Sequence, residues 1–175
     1  MTRHLYLVGY RGTGKTTVGR LVAEALGRPF VDLDEQIETT AGTSIAVIFA
    51  DEGEAGFRDR ETAALRSRMS VSNSVIATGG GIVLREENRR ILQSTGFVVW
   101  LQAPAAILWD RIRADAGTAA RRPNLTSGGL TEIVELLALR ERFYREVADA
   151  VVDAGGASPE AVADAILTLV RNPAL

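Results

Sequence analysis

The stretch Gly9-Tyr10-Arg11-Gly12-Thr13-Gly14-Lys15-Thr16 follows the apolar run Leu5–Val8 and decides the fold. It fits the pattern G-x-x-x-x-G-K-[ST], in which glycines let a loop curl between a strand and a helix. The backbone N–H groups of such a loop face inward on an anion, at the positive end of the helix. We therefore predict a triphosphate site, with Lys15 reaching the β and γ phosphates and the Thr16 hydroxyl on Mg²⁺. The alternative, a glycine-rich turn with a stray lysine, is disfavoured by the strand before the loop and the helix after it.

Composition limits the classes of function. The chain has 175 residues, a formal net charge of −2 and no cysteine. This length suits one domain with a real core. The charge argues against nucleic acid as a partner, and the lack of cysteine excludes thiolate nucleophiles and zinc–thiolate sites. The N-terminus enters its first strand at once, and no segment approaches the roughly 18 apolar residues of a membrane span. We expect a soluble, cytoplasmic monomer that does not bind membranes.

Short apolar runs alternate with amphipathic helical patterns along the whole chain. Such alternation is typical of a parallel sheet with helices on both faces. We predict a single domain over residues 1–175, with an α/β fold of three layers (α/β/α) and a five-stranded parallel sheet. The predicted strands are residues 5–8, 30–34, 75–78, 97–101 and 151–152. The predicted helices are residues 15–26, 36–40, 44–51, 57–69, 86–94 and 130–147, with two more that begin near Pro104 and at Pro159.

Residues 114–129 show little periodicity and contain several glycines and a proline. Long loops without regular structure are uncommon in compact domains and often form lids over a site. We predict a lid over approximately residues 113–129.

Polar residues and glycines follow the ends of the predicted strands. Asp32 and Asp34 are two positions apart on the second predicted strand, so their side chains can point the same way. One carboxylate could complete a magnesium site through water, and the other could accept a proton from a hydroxyl group. The alternative is that Asp34 caps the following helix. The glycines Gly79–Gly81 end the next strand and would let a ligand approach the backbone, although a flexible turn explains them as well.

Two further features have ordinary alternatives. Arg58 and Glu61 share one face of a predicted helix, where they could serve a site or form a solvated surface ion pair. His4 is the only histidine, and we expect it at the surface or at a strand edge, since one histidine without partners makes no site.

Taken together, these motifs resemble those of the shikimate kinase family, a nucleoside-monophosphate-kinase-like P-loop family, from Leu5 to about Asp153. Each motif is weak alone, but five occur in the order of the family. They are Val31-Asp32-Leu33-Asp34, Ala55-Gly56-Phe57-Arg58-Asp59-Arg60-Glu61-Thr62, Ile76-Ala77-Thr78-Gly79-Gly80-Gly81, Arg122-Pro123, and Arg140 ahead of Phe143-Tyr144-Arg145-Glu146.

The resemblance implies phosphorylation of the shikimate 3-hydroxyl by ATP, giving shikimate 3-phosphate and ADP in chorismate and aromatic amino-acid biosynthesis. It implies ATP and Mg²⁺ as cofactors. The nucleotide-binding residues would be Gly12, Thr13, Gly14, Lys15, Thr16, Thr17, Arg111 and Arg122. Among these, Arg111 would lie against adenine and Arg122 would close on the phosphates from the lid. Thr16 would hold Mg²⁺, supported by Asp32.

On the acceptor side, the resemblance implies a helical substrate-binding part over approximately residues 34–61. Asp34 would bind the shikimate hydroxyls and orient or deprotonate the 3-hydroxyl. Arg58, fixed by Glu61, and Arg140 would clamp the carboxylate. The implied substrate-binding residues are Asp34, Phe49, Phe57, Arg58, Glu61, Gly79, Gly80, Gly81 and Arg140, with the two phenylalanines walling the ring and the glycines supplying backbone donors. The implied catalytic residues are Lys15, Asp34 and Arg122.

Two other functions stay open on the sequence. The chain could be a kinase for another small hydroxy acid such as gluconate, although Arg58 with Glu61 and the triple glycine argue against it. It could also be a nucleotide-binding regulatory module that has lost its chemistry. The intact residues Lys15, Thr16 and Asp32 give no support to such a loss.

Overall fold

Five strands form one parallel sheet in the computed structural model, which describes residues 3–71, 73–115 and 128–171. The strands are β1 (His4–Val8), β2 (Phe30–Asp32), β3 (Val75–Ala77), β4 (Gly96–Gln102) and β5 (Ala150–Asp153), in the order β2-β3-β1-β4-β5 across the sheet. The helices of the described ranges are α1 (Lys15–Leu26), α2 (Leu33–Ala41), α3 (Ile45–Ser67), α4 (Glu86–Thr95), α5 (Ala105–Ala114), α6 (Gly129–Val147) and α7 (Pro159–Arg171), with a short 3-10 helix at Ile82–Leu84.

The alternation of side chains on each strand divides the core into two layers. On β1, Tyr6 and Val8 face a cluster made with α2, α3, α4 and α6, whereas Leu5 and Leu7 face a cluster made with α1 and α7. All four side chains are buried, because β1 is the central strand and helices cover both faces. The predicted three-layer fold with a five-stranded parallel sheet is confirmed.

The register of the strands brings three strand ends into one row. Leu7 of β1 pairs with Ala77 of β3, and Ala77 pairs with Asp32 of β2. The glycine loop after β1, the segment after β3 and the start of α2 therefore emerge side by side at the carboxyl edge of the sheet. Ligands of open parallel sheets bind at this edge.

The second strand ends earlier than the sequence predicts. We expected a strand through residue 34, but Asp32 is the N-cap of α2, and its Oδ1 accepts the backbone N–H groups of Asp34 at 3.0 Å and Glu35 at 3.3 Å. An aspartate at this position starts a helix by satisfying its first free N–H groups. Asp34 therefore lies in the first turn of α2, and the prediction that it is on a strand with Asp32 is wrong.

The two predicted helices 44–51 and 57–69 form the two halves of α3. Gly53 lies between them with φ 69° and ψ −173°, a conformation that only glycine adopts easily, and kinks the helix. The short helix Ile82–Leu84 has no counterpart in the prediction.

His4 is buried, with 2% of its surface exposed, so its expected position at the surface or a strand edge is wrong. Its Nδ1 accepts the backbone N–H of Ser74 at 3.2 Å, which leaves Nε2 to donate to the Arg68 carbonyl at 3.0 Å. These bonds tie the start of the central strand to the connection between α3 and β3.

The predicted lid lies mostly outside the described residues, which resume at residue 128, just before α6. None of the helices in the described ranges has the length and apolar character needed to cross a bilayer.

The contact between α1 and the sheet gives a test of the packing. A Cβ atom on Gly19 of α1 would lie 2.5 Å from Cε2 of Phe30 and 3.2 Å from Cδ1 of Leu7. We expect Gly19→Val to lower the free energy of unfolding by about 2–3 kcal/mol, since overpacking a tight core forces neighbours apart. Urea unfolding followed by circular dichroism measures this.

The control is Gly156→Ala, because a Cβ atom at Gly156 has no neighbour within 4 Å. We expect a change of at most about 0.5 kcal/mol there. Equal stability of Gly19→Val and the parent chain would contradict the close packing of α1.

Candidate active site

A cavity of about 240 Å³ opens at the carboxyl edge of the sheet. It is bounded by the glycine loop, the start of α1 and α2, the segment after β3, and the end of α5. Its lining residues are Arg11, Gly12, Gly14, Lys15, Thr16, Thr17, Asp32, Asp34, Ile45, Thr78, Gly79, Gly80, Arg111, Ile112 and Asp115. The structure thus brings the predicted nucleotide loop, both aspartates and two of the predicted acceptor glycines, Gly79 and Gly80, into one space, whereas Gly81 does not line it.

The glycine loop has the backbone that an anion site requires. Gly9, Gly12 and Gly14 have φ values of 145°, 85° and 87°, which residues with a Cβ atom rarely adopt. At Gly9, a Cβ atom would also lie 2.4 Å from the Leu101 carbonyl oxygen. Gly14 precedes α1, whose first turn has neither a side-chain cap nor an acidic residue. The positive end of α1 is therefore left to an external anion.

Hydrogen bonds to the glycine loop hold the side chain of Lys15. Its Nζ donates to the carbonyl oxygens of Gly9 at 2.9 Å and Tyr10 at 2.8 Å, and to Thr13 Oγ1 at 3.4 Å. Thr13 in turn donates to the Tyr10 carbonyl at 2.9 Å. The ammonium group thus donates to three oxygens of the loop at the cavity wall.

The oxygens of Thr16 and Asp32 fit a magnesium ion. Thr16 Oγ1 donates to Asp32 Oδ2 at 2.6 Å, and both residues line the cavity. Mg²⁺ prefers such oxygen ligands, keeps several waters and is commonly held jointly by one or two protein groups and substrate phosphates. Within the described ranges there is no cluster of three or more His, Asp or Glu that could hold an ion without the nucleotide.

Asp34 reaches the same cavity from a helix. It lies in the first turn of α2, next to the Asp32 cap, and lines the cavity with Asp32. The alternative, that Asp34 caps the helix, is also wrong, because Asp32 has that role. Asp34 thus borders the space that a ligand of the cavity would occupy.

Arg58 and Glu61 form a buried ion pair of 2.8 Å, with side chains that are 9% and 0% exposed. Arg58 also contacts Glu54 at 3.2 Å. Burial opposes the charge of Arg58, but the two carboxylates outweigh it and raise the pKa of Arg58 above its ordinary value. The solvated surface pair that the sequence left open is therefore wrong.

The guanidinium of Arg58 lies directly against the triple glycine. A Cβ atom on Gly81 would lie 2.2 Å from Arg58 Nη1, so no side chain fits there without moving Arg58. Gly80 lies close to the backbone of the nucleotide loop, since its Cβ position is 3.4 Å from the Gly9 carbonyl oxygen. The segment is therefore a close backbone contact between two parts of the site.

Arg140 lies on α6, beside the nucleotide loop. It is 8% exposed, and its Cζ lies 5.4 Å from the centre of the Tyr10 ring, a cation–π contact with that loop. Tyr144, one turn further along α6, donates a 2.5 Å hydrogen bond to the Gly80 carbonyl oxygen. Arg58 of α3 and Tyr144 of α6 thus reach the glycine segment from different helices.

The remaining predicted site residues lie partly in the core, partly at the cavity and partly outside the described residues. Phe57 is fully buried and stacks on the partly buried Phe49 at 4.6 Å, so Phe49 is the ring nearer the surface. Arg111 lines the cavity and donates to the carbonyls of Gly12 at 3.3 Å and Ala154 at 2.8 Å. Arg122 lies outside the described residues.

Sequence reasoning assigned no role in the site to several residues that the structure places in or beside it. Arg11 and Thr78 line the cavity, and Thr78 Oγ1 donates to the Leu7 carbonyl at 3.0 Å, which joins β3 to β1. Tyr10 and Tyr144 support Arg140 and Gly80. Two features of the sequence could have indicated the tyrosines: Tyr10 is an aromatic residue inside the glycine loop, and Tyr144 belongs to the motif that follows Arg140.

Comparison with known proteins agrees with this geometry. The family model described as "Shikimate kinase" matches residues 11–171. A shikimate kinase of Rhodopirellula baltica is 51% identical over 86% of this chain and 81% of the relative. The shikimate kinase of Acinetobacter baumannii, solved in complex with shikimate, superposes with a TM-score of 0.93 at 39% identity, covering 100% of this chain and 96% of that one. The Aquifex aeolicus enzyme gives a TM-score of 0.84 at 35% identity, with 98% of each chain covered. The chain therefore belongs to the shikimate kinase family.

Proposed function

We propose that the chain transfers the γ-phosphoryl group of ATP to the 3-hydroxyl of shikimate in this cavity, a step of chorismate biosynthesis. The observation that carries the proposal is the cavity lined jointly by the glycine loop, Asp34, Gly79 and Gly80. The buried Arg58 lies against Gly81, and the buried Arg140 lies against Tyr10 of the loop. Phosphoryl transfer needs positioning and charge neutralisation more than covalent help, and these groups supply both.

The nucleotide side of the reaction uses the loop and Lys15. The backbone N–H groups after Gly12 bind the phosphates, and Lys15 exchanges its loop carbonyls for the β and γ oxygens. Thr16 and Asp32 would hold Mg²⁺, which when bound supplies further positive charge against those oxygens. Arg111 contacts the nucleotide at the end of α5, where it already borders the cavity.

The acceptor side explains why an acid is selected. Shikimate carries one carboxylate, and the planar fork of arginine matches a carboxylate bidentately. Arg58 and Arg140 would provide this clamp, with Gly79–Gly81 as backbone donors. Phe49 would lie against the ring with Phe57 packed behind it. A neutral sugar has no charged oxygens for the two arginines and would lose these charge-assisted hydrogen bonds.

In the transfer step, the 3-hydroxyl oxygen bonds to the γ-phosphorus while the bond from that phosphorus to the ADP oxygen breaks. Asp34 orients the hydroxyl and takes up its proton. Arg122 would add charge from the lid over approximately residues 113–129, and closure of this lid would exclude water as a competing acceptor. We also propose that the protein is a cytoplasmic monomer, since the described residues of one chain already bring the glycine loop, both aspartates and Arg111 to one cavity.

The two alternatives have less support. A gluconate-type kinase does not account for the buried pair of Arg58 and Glu61 against Gly81. A non-catalytic module does not account for Lys15, Thr16 and Asp34 all lining one cavity.

The acceptor decides between these functions. We expect ADP release by the purified protein with Mg-ATP to depend on shikimate, with no release above background for gluconate, a nucleoside monophosphate or no acceptor. A coupled assay for ADP measures this. Release with gluconate alone would overturn the acceptor site, and nucleotide binding without release for any acceptor would favour the regulatory module.

Lys15 gives a test of the phosphate site. We expect Lys15→Ala to lower kcat by roughly 10²–10³-fold or more, because charge stabilisation of the transferring phosphoryl group is lost. Its circular dichroism spectrum should match that of the parent. Because Lys15 is the only lysine in the chain, Mg-ATP should also protect the parent's single side-chain amine from amine-reactive labelling. Activity within tenfold of the parent would contradict the assignment.

Arg140 gives a test of the carboxylate clamp. We expect Arg140→Lys to raise KM for shikimate roughly 10- to 100-fold with little change in KM for ATP, because one charged hydrogen bond is lost. The matched control is Arg142→Lys on the exposed side of the same helix, which should change neither constant. An equal rise in KM for both substrates would refute the clamp.

A further inference from the structure

The phenol of Tyr144 is a buried polar group for which the mechanism above has no use. Its side chain has 0% of its surface exposed, and its hydroxyl donates to the Gly80 carbonyl oxygen at 2.5 Å. Burial raises the pKa of Tyr144 well above its usual range, although Arg140 opposes this effect. The phenol therefore keeps its proton and remains a donor.

The same hydroxyl lies beside the second group of the predicted carboxylate site. Arg140 precedes Tyr144 by one turn of α6, and its charge acts on the phenol, whose proton goes to the Gly80 carbonyl oxygen. Tyr144 thus connects the part of α6 that carries Arg140 to the backbone of the triple glycine.

The bond to Gly80 also fixes a neighbouring donor. The Gly80 carbonyl and the Gly81 N–H belong to one peptide unit, which is planar and trans, so the two groups point in opposite directions. Tyr144 holds the carbonyl, and the Gly81 N–H therefore points away from Tyr144. Three successive glycines have no side chains to hold their backbone, so an external anchor counts for more here than in an ordinary strand or loop.

The anchor itself is rigid. The Tyr144 ring stacks on Trp100 of β4, with ring centres 5.6 Å apart and planes inclined by 21°. Trp100 is 1% exposed and lies in the same core cluster as Tyr144. The phenol oxygen is thus held by the central part of the sheet rather than by the loop that it supports.

We propose that Tyr144 is a positioning residue for the acceptor carboxylate: its hydrogen bond holds the Gly80–Gly81 peptide to α6, beside Arg140, in the geometry that binds this group. The proposal rests on the proposed function, since it needs a carboxylate at these two groups. Tyr144 does not touch the reacting atoms. Its loss should therefore weaken binding of the acceptor and leave the nucleotide side intact.

The test compares Tyr144→Phe with Tyr6→Phe. Both tyrosines are fully buried in one core cluster, and each hydroxyl makes a hydrogen bond, that of Tyr6 to Thr95 Oγ1 at 2.8 Å. We expect Tyr144→Phe to raise KM for shikimate about tenfold, because the loss of the hydrogen bond to the buried Gly80 carbonyl costs free energy of that order. We expect kcat and KM for ATP within about twofold of the parent, and no change in KM for Tyr6→Phe.

A second pair of variants separates positioning from general loss of structure. The effects of Tyr144→Phe and Arg140→Lys on KM for shikimate should be less than additive, because both act on one binding group. If Tyr144→Phe does not fold, Trp100→Phe replaces it; this change keeps every polar atom of the site and loosens the anchor, and we expect it to raise the same KM about threefold.

The outcomes distinguish this inference from the function itself. A parent protein that does not phosphorylate shikimate would overturn the proposed function. A parent that does so, with KM for shikimate unchanged in the folded Tyr144→Phe variant, or in Trp100→Phe where that variant replaces it, would overturn the role of Tyr144 alone. Equal rises in KM for shikimate and ATP would also overturn it.

Discussion

The parallel register of β1, β3 and β2 is the constraint on which the rest of the site depends. Leu7, Ala77 and Asp32 lie in one row, so the segments that follow these three strands begin next to one another at the carboxyl edge of the sheet. Thr78 fixes this row, because its backbone N–H and its hydroxyl both donate to the Leu7 carbonyl. A slip of one residue would turn each side chain to the other face and separate the aspartates from the glycine loop.

The parts of the site that continue directly from a strand could be predicted from the sequence. The residues from Gly9 to Thr16 determine the geometry of the loop by themselves, since the loop and the helix α1 that follows it are contiguous in the chain. Asp32 and Gly79 follow apolar runs, and parallel strands place such positions at one edge. Motif spacing is sufficient to predict a part of the site whose groups are close together in the sequence.

The remaining parts depend on contacts between distant segments. Tyr144 and Gly80 are 64 positions apart, and no local pattern connects them. The spacing of Arg58 and Glu61 put them on one face of a helix but could not say which face the core covers. His4 was misplaced for the same reason, because its burial follows from the central position of β1 and not from its neighbours in sequence.

The two arginines of the proposed acceptor site differ in what balances their charge. Arg58 is held by the carboxylates of Glu61 and Glu54, so its immediate surroundings carry no excess positive charge. Arg140 lies against the ring of Tyr10 and near the protonated phenol of Tyr144. A buried cation beside neutral groups attracts an anion more strongly than one that is already paired, because low polarity weakens screening. In the proposed site Arg140 would therefore supply the attraction for a substrate carboxylate, while the ion pair with Glu61 would fix the direction of the Arg58 guanidinium.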